Sequence, residues 1–181
     1  ATNRPVQDEM IEGTLRTVIE VGPKLIEDLT NYEHRETILF AGTLGLNGFL
    51  QMGYNGDWAS HNLEHAISAV YDIPHGGALA IVLPRWMRHN VKVNPKRFAK
   101  LAINVFNVNS EGKSVEEVAY EGIDRLEAFW KSLNAPSTLG DYNIDESKID
   151  LMVEKAMVYG EYGNFHKLNA EDTKTILTAC L

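Results

Sequence analysis

Three of the six histidines in this chain, His61, His65 and His75, fall in the stretch GDWASHNLEHAISAVYDIPHGG, which also carries the carboxylates Asp57, Glu64 and Asp72. Neutral imidazoles are ligands for zinc, iron, nickel and copper, and a divalent ion held by protein normally takes three or four side chains. Aspartate or serine caps fit the start of the stretch, so a helix is expected from Ser60 to Tyr71. At about 100° per residue, His61, His65, Ser68 and Asp72 share one narrow sector of that helix. Leu63, Ala66, Ile67 and Val70 lie almost opposite, which makes theirs the core-facing stripe and takes the histidines off it. Two histidines four apart also occur on wet helix faces with no task, and the third decides between the readings. His75 follows Pro74, and Gly76-Gly77 permit a sharp turn that folds it back toward His61 and His65. Asp57, Glu64 and Asp72 are candidate carboxylate ligands, none of them at a clear ligand spacing.

The same residues carry a competing pattern. His61-Asn62-Leu63-Glu64-His65 matches H-x-x-E-H, in which two histidines bind zinc and the glutamate acts as base in a peptidase. Three fixed positions make a weak signal, and that reading leaves His75 without a role.

The elements that must position these residues read as helices throughout. From Pro5 to about Leu29, apolar residues from Val6 to Ile26 recur at three- and four-residue steps, with Pro23 expected to kink or interrupt the run. Tyr32 to Met52 is apolar on nearly every side, the pattern of a central buried helix, and Gly42, Gly45 and Gly48 form a ladder that would admit another backbone. Ala78 to Pro84 suits a buried strand or helix, and the following Trp86, Met87 and Val91 favour a helix kinked near Pro84. Asn94-Pro95 reads as an N-cap followed by proline at the first helical position. Ser114-Val115-Glu116-Glu117 has capping-box form and opens a helix to about Leu133. Asn107–Lys113 and Asn134–Asn143 are loops. Asp145 caps a helix stopping near Gly160, and Asn169 with Asp172 starts a last one ending at Leu181. Seven or eight helices and no secure strand make one all-α domain.

Bulk properties bound the function classes. A chain of 181 residues buries a real core, and 44% hydrophobic with 23% charged residues is the balance of a globular protein. A net charge of −8 without a basic stripe argues against nucleic-acid and anionic-membrane surfaces. No apolar run reaches the roughly 20 residues of a membrane span. The single cysteine, Cys180, allows no internal disulfide and fits a reducing cytoplasm. The chain opens Ala1-Thr2-Asn3-Arg4-Pro5, with no initiating methionine and no apolar lead-in.

His61-x3-His65-x9-His75-Gly76, followed by Ala78-x-Ala80-Ile81-Val82-Leu83-Pro84, resembles the second signature of the iron-containing (metal-dependent, group III) alcohol dehydrogenases. The branch it resembles is that of the NAD(P)-dependent butanol dehydrogenases and aldehyde reductases. Gly22-Pro23-Lys24, Asn31-Tyr32, Leu46-Asn47-Gly48, Asp57-Trp58-Ala59, Lys96-Arg97 and Phe106-Asn107-Val108 are similar to that branch in the same order, from about Pro5 to the last helix. The resemblance implies a dehydroquinate synthase-like C-terminal helical domain, residues 1–181, from a protein about twice as long whose N-terminal α/β domain binds NAD(P)H. It implies iron or zinc held by an aspartate and three histidines, with His61 and His75 the last two ligands and His65 handling protons. The family's first ligand pair, Asp-x3-His, and its glycine-rich phosphate loop are absent here, so half the metal site is expected in the part before Ala1. Glu64 falls where the family demands no carboxylate.

The resemblance thus implies half of an oxidoreductase acting on a small aldehyde or alcohol, inactive alone, whose exposed domain face favours homo-oligomers. A zinc peptidase and a non-catalytic helical binding domain are the alternatives.

Overall fold

The computed structural model describes residues 4–53 and 55–181; the opening Ala1-Thr2-Asn3 lies outside the described residues. Eight α-helices are present among them: α1 Pro5–Glu27, α2 Tyr32–Leu46, α3 Ala59–Tyr71, α4 His75–Asn90, α5 Pro95–Phe106, α6 Val115–Ser132, α7 Ile149–Ala156 and α8 Ala170–Thr178. One antiparallel bridge, Tyr162 to Leu168, is the whole β content of the described residues. The all-α reading holds, and Ala78–Pro84 resolves as helix.

Local chemistry sets most boundaries. Ser114 and Glu117 form a reciprocal capping box at α6, and Asn169 with Asp172 does the same at α8. Asn94 accepts from the Arg97 N–H at the start of α5, with Pro95 at the first position, where its missing N–H costs nothing. Asp145 caps a 3-10 turn, Glu146–Lys148, that leads into α7, and α7 stops at Ala156 rather than Gly160. Neither internal proline interrupts its helix: α1 continues through Pro23 and α4 through Pro84.

The core gathers the α3 stripe (Ala59, Leu63, Ile67), Ile81, Val82 and Trp86 of α4, and facing residues of α5 to α8. Helix α3 lies on α4 and α7, and α8 on α4 and α7. Helices α5 and α6 share the most extensive contact, and Gly122 of α6 lets the backbone of α5 approach at Ala102 with no side chain between. At the C-terminal end, the buried Cys180 donates its thiol to the Ile176 carbonyl, and its own carbonyl accepts from the Leu139 N–H at 2.7 Å. Burial pushes this thiol up to about 12.

Two expectations fail at the N-terminal end. Helix α2 is not central: none of its residues is buried, and Leu39, Phe40 and Leu46 are largely exposed. Periodicity records how apolar a helix is, not whether this chain supplies a cover, and here α2 leans on α1 and the short 3-10 turn after it. Gly42 and Gly45 meet nothing within 4 Å, so the glycine ladder admits no backbone of this chain, and Gly48 instead takes a left-handed turn. Helix α1 likewise exposes Val6 and Ile26 and buries Asp8 and Glu12.

Charge therefore joins α1 to α5. Arg97 donates to both oxygens of Asp8 at 2.9 Å, Lys100 adds a bond at 2.7 Å, and Asn104 donates to Glu12 at 2.9 Å. Arg97 first, and Lys100 behind it, hold the Asp8 carboxyl down to about 2 against burial, which acts the other way. A carboxyl lowered on folding contributes stability above its unfolded value of 3.8, and loses it as pH falls through about 2. Solvent screening of the half-exposed Arg97 brings that contribution to about 1 kcal/mol. Asp8→Asn is expected to lower the urea midpoint at pH 7, with the gap to the parent closing between about pH 4 and pH 2. Urea titrations across that range check it; a gap that stays constant with pH contradicts it.

Candidate metal centre

The α3–α4 corner builds the site. Asp72, in the left-handed region at φ 51°, ends α3 by donating its N–H to the Ser68 carbonyl, and Pro74 precedes the first residue of α4, His75. The chain thus reverses over Asp72–Pro74, before the histidine. Gly76 and Gly77 continue the helix instead of making the expected turn. A proline-fixed φ suits the entry to a helix whose first N–H groups need no intrahelical partner.

The corner brings the three predicted histidines together. Ring centroids lie 6.4 Å apart for His61 and His65, 5.5 Å for His61 and His75, and 5.8 Å for His65 and His75. Trp58 packs edge-on against His61 at 4.8 Å. His65 and His75 are more than half exposed, whereas His61 is partly buried, and its Nδ1 is buried with no hydrogen-bond partner among the described residues. Burial first, then the neighbouring His75 and His65, push His61 below the ordinary 6.5, so it stands as a neutral imidazole with a lone pair.

Glu64 is the residue whose importance the sequence hid. Its side chain is 1% exposed, at the base of the cluster. The His75 Nδ1 lies 2.6 Å from Glu64 Oε2, and the Ser68 hydroxyl donates to Oε1 at 2.5 Å. A carboxylate can only accept, so His75 Nδ1 carries the hydrogen and Nε2 presents the lone pair. A carboxylate fixing the far nitrogen of a histidine is the usual support behind a metal ligand. Glu64, His65 and His75 also offer one donor atom each within 4.8 Å of one another. We read Glu64 as backing rather than ligand, since both its oxygens are already engaged. The same engagement removes the base an H-x-x-E-H peptidase needs. The Glu64-x3-Ser68 spacing was the available signal, one helical turn that puts hydroxyl and carboxylate side by side.

His61, although its ring neighbours the other two, stays outside that group of donor atoms, and so do Asp57 and Asp72. Asp57 does not cap α3, whose N-cap is Trp58 without a side-chain bond. Its carboxylate instead accepts from the Asn164 N–H at 2.6 Å, while Asn164 Nδ2 donates to the Gly56 carbonyl, holding the α7–α8 loop to the entry of α3. That contact needs Gly163: a Cβ there would stand 2.4 Å from the His166 carbonyl oxygen, and the backbone adopts φ 99°.

His61, with its buried and unpartnered Nδ1, and His75, backed by Glu64, are imidazoles of the kind that iron and zinc take as ligands. The model of the Fe-containing alcohol dehydrogenase family, C-terminal, matches residues 1–181. A probable NADH-dependent butanol dehydrogenase of Bacillus subtilis is 58% identical over 180 residues, 99% of this chain and 46% of that protein. The NADPH-dependent aldehyde reductase YqhD of Escherichia coli is 32% identical over 96% of this chain and 45% of its own length. Among solved structures, the NADH-dependent butanol dehydrogenase A of Thermotoga maritima superposes with a TM-score of 0.92 at 34% identity, over 99% of this chain and 47% of that one. The chain spans about half the length of the curated relatives it matches. The histidine signature, the helical architecture and a family match over the whole chain agree: this protein belongs to the iron-containing alcohol dehydrogenase family, as its C-terminal all-α domain.

Proposed function

We propose that this chain is the metal-binding helical domain, residues 1–181, of an NAD(P)H-linked aldehyde reductase and alcohol dehydrogenase. The Glu64-backed His75 beside the neutral His61 carries the reading. His61 and His75 would hold the ion, with the remaining ligands on the preceding half. When bound, the ion supplies a Lewis acid that polarises a carbonyl oxygen, and NAD(P)H supplies the hydride. Glu64 keeps the His75 hydrogen on Nδ1 and its lone pair outward. His65, more than half exposed and beside both ligands, hands a ring proton to the alcohol oxygen and regains it from solvent. The exposed apolar residues of α2 support a cover from outside this chain, and a nucleotide-binding α/β half is the body proposed, with homo-oligomers of the joined protein. A cytoplasmic setting suits the unpaired Cys180. Among the described residues no helix is long and apolar enough to cross a membrane.

The test joins this chain to the N-terminal half of the Bacillus subtilis relative and follows NADH and NADPH oxidation with butanal. Turnover is expected, lost with chelator and lost in His75→Ala, while the 181 residues alone give none. Turnover by the 181 residues alone, or casein cleavage abolished by Glu64→Gln, would overturn the proposal.

A further inference from the structure

A second cluster lies away from the α3–α4 corner. His89 in the last turn of α4, His166 in the α7–α8 loop and Asp172 in the first turn of α8 offer donor atoms within 4.8 Å of one another. His89 Nε2 stands 2.9 Å from Asp172 Oδ1, and both side chains are less than a fifth exposed. The His89 and His166 rings lie nearly parallel, 19° apart, with centroids at 6.2 Å.

Two of the three donors are fixed from behind. Asn90 is fully buried and donates its Nδ2 to the Trp86 carbonyl at 2.8 Å, which turns its Oδ1 toward His166 Nδ1 at 3.0 Å. An amide oxygen only accepts, so His166 carries its hydrogen on Nδ1 and keeps a lone pair on Nε2. Asp172 Oδ2 accepts from the Asn169 N–H in the capping box, leaving Oδ1 for His89. His89 rides on α4, whose buried face fixes it in the core. A plain ion pair accounts for His89 and Asp172 but not for the oriented His166 beside them.

We propose that His89, His166 and Asp172 form a second, structural site for a divalent transition metal of the zinc class. Two imidazoles and one carboxylate suit zinc, which bonds such groups at about 2.0–2.2 Å, and water completes a tetrahedral shell. Tetrahedral donors about 2.1 Å from an ion stand about 3.4 Å apart, so donors at most 4.8 Å apart close by up to about 1.4 Å, within the reach of side-chain rotation. On binding, the hydrogen on His89 Nε2 moves to Nδ1, and its bond to Asp172 gives way to coordination by both. The ion would pin the α7–α8 loop to α4 two residues beyond Asn164, through which Asp57 holds it. This site is independent of the proposed reaction.

The experiment titrates zinc into the full chain carrying His61→Ala and His75→Ala, which removes the first site. One equivalent is expected to bind and to raise the melting temperature. Adding His89→Gln or His166→Gln should weaken binding at least tenfold and abolish the thermal shift, with unchanged circular dichroism. Zinc-soaked crystals of the unaltered chain give a readout independent of variants, namely an anomalous peak within coordination distance of all three side chains. Absence of binding in the double variant, binding that survives loss of both His89 and His166, or no peak there overturns the proposal.

Discussion

Glu64→Gln is expected to lower the affinity of the histidine cluster for zinc or cobalt 10- to 100-fold, about 1.4–2.8 kcal/mol, while the helical fold persists. The amide oxygen can still accept from His75 Nδ1. The amide NH2 then faces Ser68, whose hydroxyl can turn its hydrogen to the Ile73 carbonyl 3.3 Å away. The hydrogen bonds survive, and the negative charge that makes His75 a stronger donor does not. Folding stability should therefore change by no more than about 1 kcal/mol, because a buried carboxylate carries a desolvation cost that its neutral isostere avoids. Cobalt titration monitored by its visible bands, beside a thermal melt, separates the two effects. Unchanged affinity would show that Glu64 does not support the ligand; collapse of the fold would make it a structural residue first.

Gly122→Val should be among the most damaging single changes in the chain, costing about 3 kcal/mol, the upper part of the overpacking range. A Cβ at position 122 would stand 2.3 Å from Ala102 Cβ and 2.9 Å from Ala102 Cα. The second contact is with backbone, so no rotamer relieves it and α5 must move off α6. Gly122→Ala is milder, since alanine regains about 1 kcal/mol of helix propensity. Adding Ala102→Gly should restore part of the loss in either variant, because it removes only the nearer atom. Urea midpoints for the parent and these four variants test this. A stable Gly122→Val chain would mean that the two helices are not held at this separation.

What the sequence made legible was local. Ser114, Asn94 and Asn169 mark helix starts because a cap and its N–H lie within three residues, so spacing alone identifies them. The split of α3 into a histidine face and a Leu63–Ala66–Ile67 face was equally visible, being a property of one helix. The role of Glu64 was not, because it depends on a corner that returns His75 to the previous turn of chain, and no spacing encodes that rotamer. His89, His166 and Asp172 come from three elements, and only the fold brings them together. Helix α2 fails for a different reason: its apolar circumference was read correctly, but whether it is buried depends on what packs against it.

Cys180 gives the molecule a clock for its own C-terminal end. Thiol reagents attack the thiolate, and burial with a raised pKa leaves Cys180 almost none of it while the chain is closed. Modification must wait until the segment after α8 lets go of Leu139 and the sulfur reaches water. Since the chain carries a single cysteine, the rate of labelling counts those openings without any engineered probe. An ion bound at Asp172, near the start of the same helix, would be registered as a slower tick.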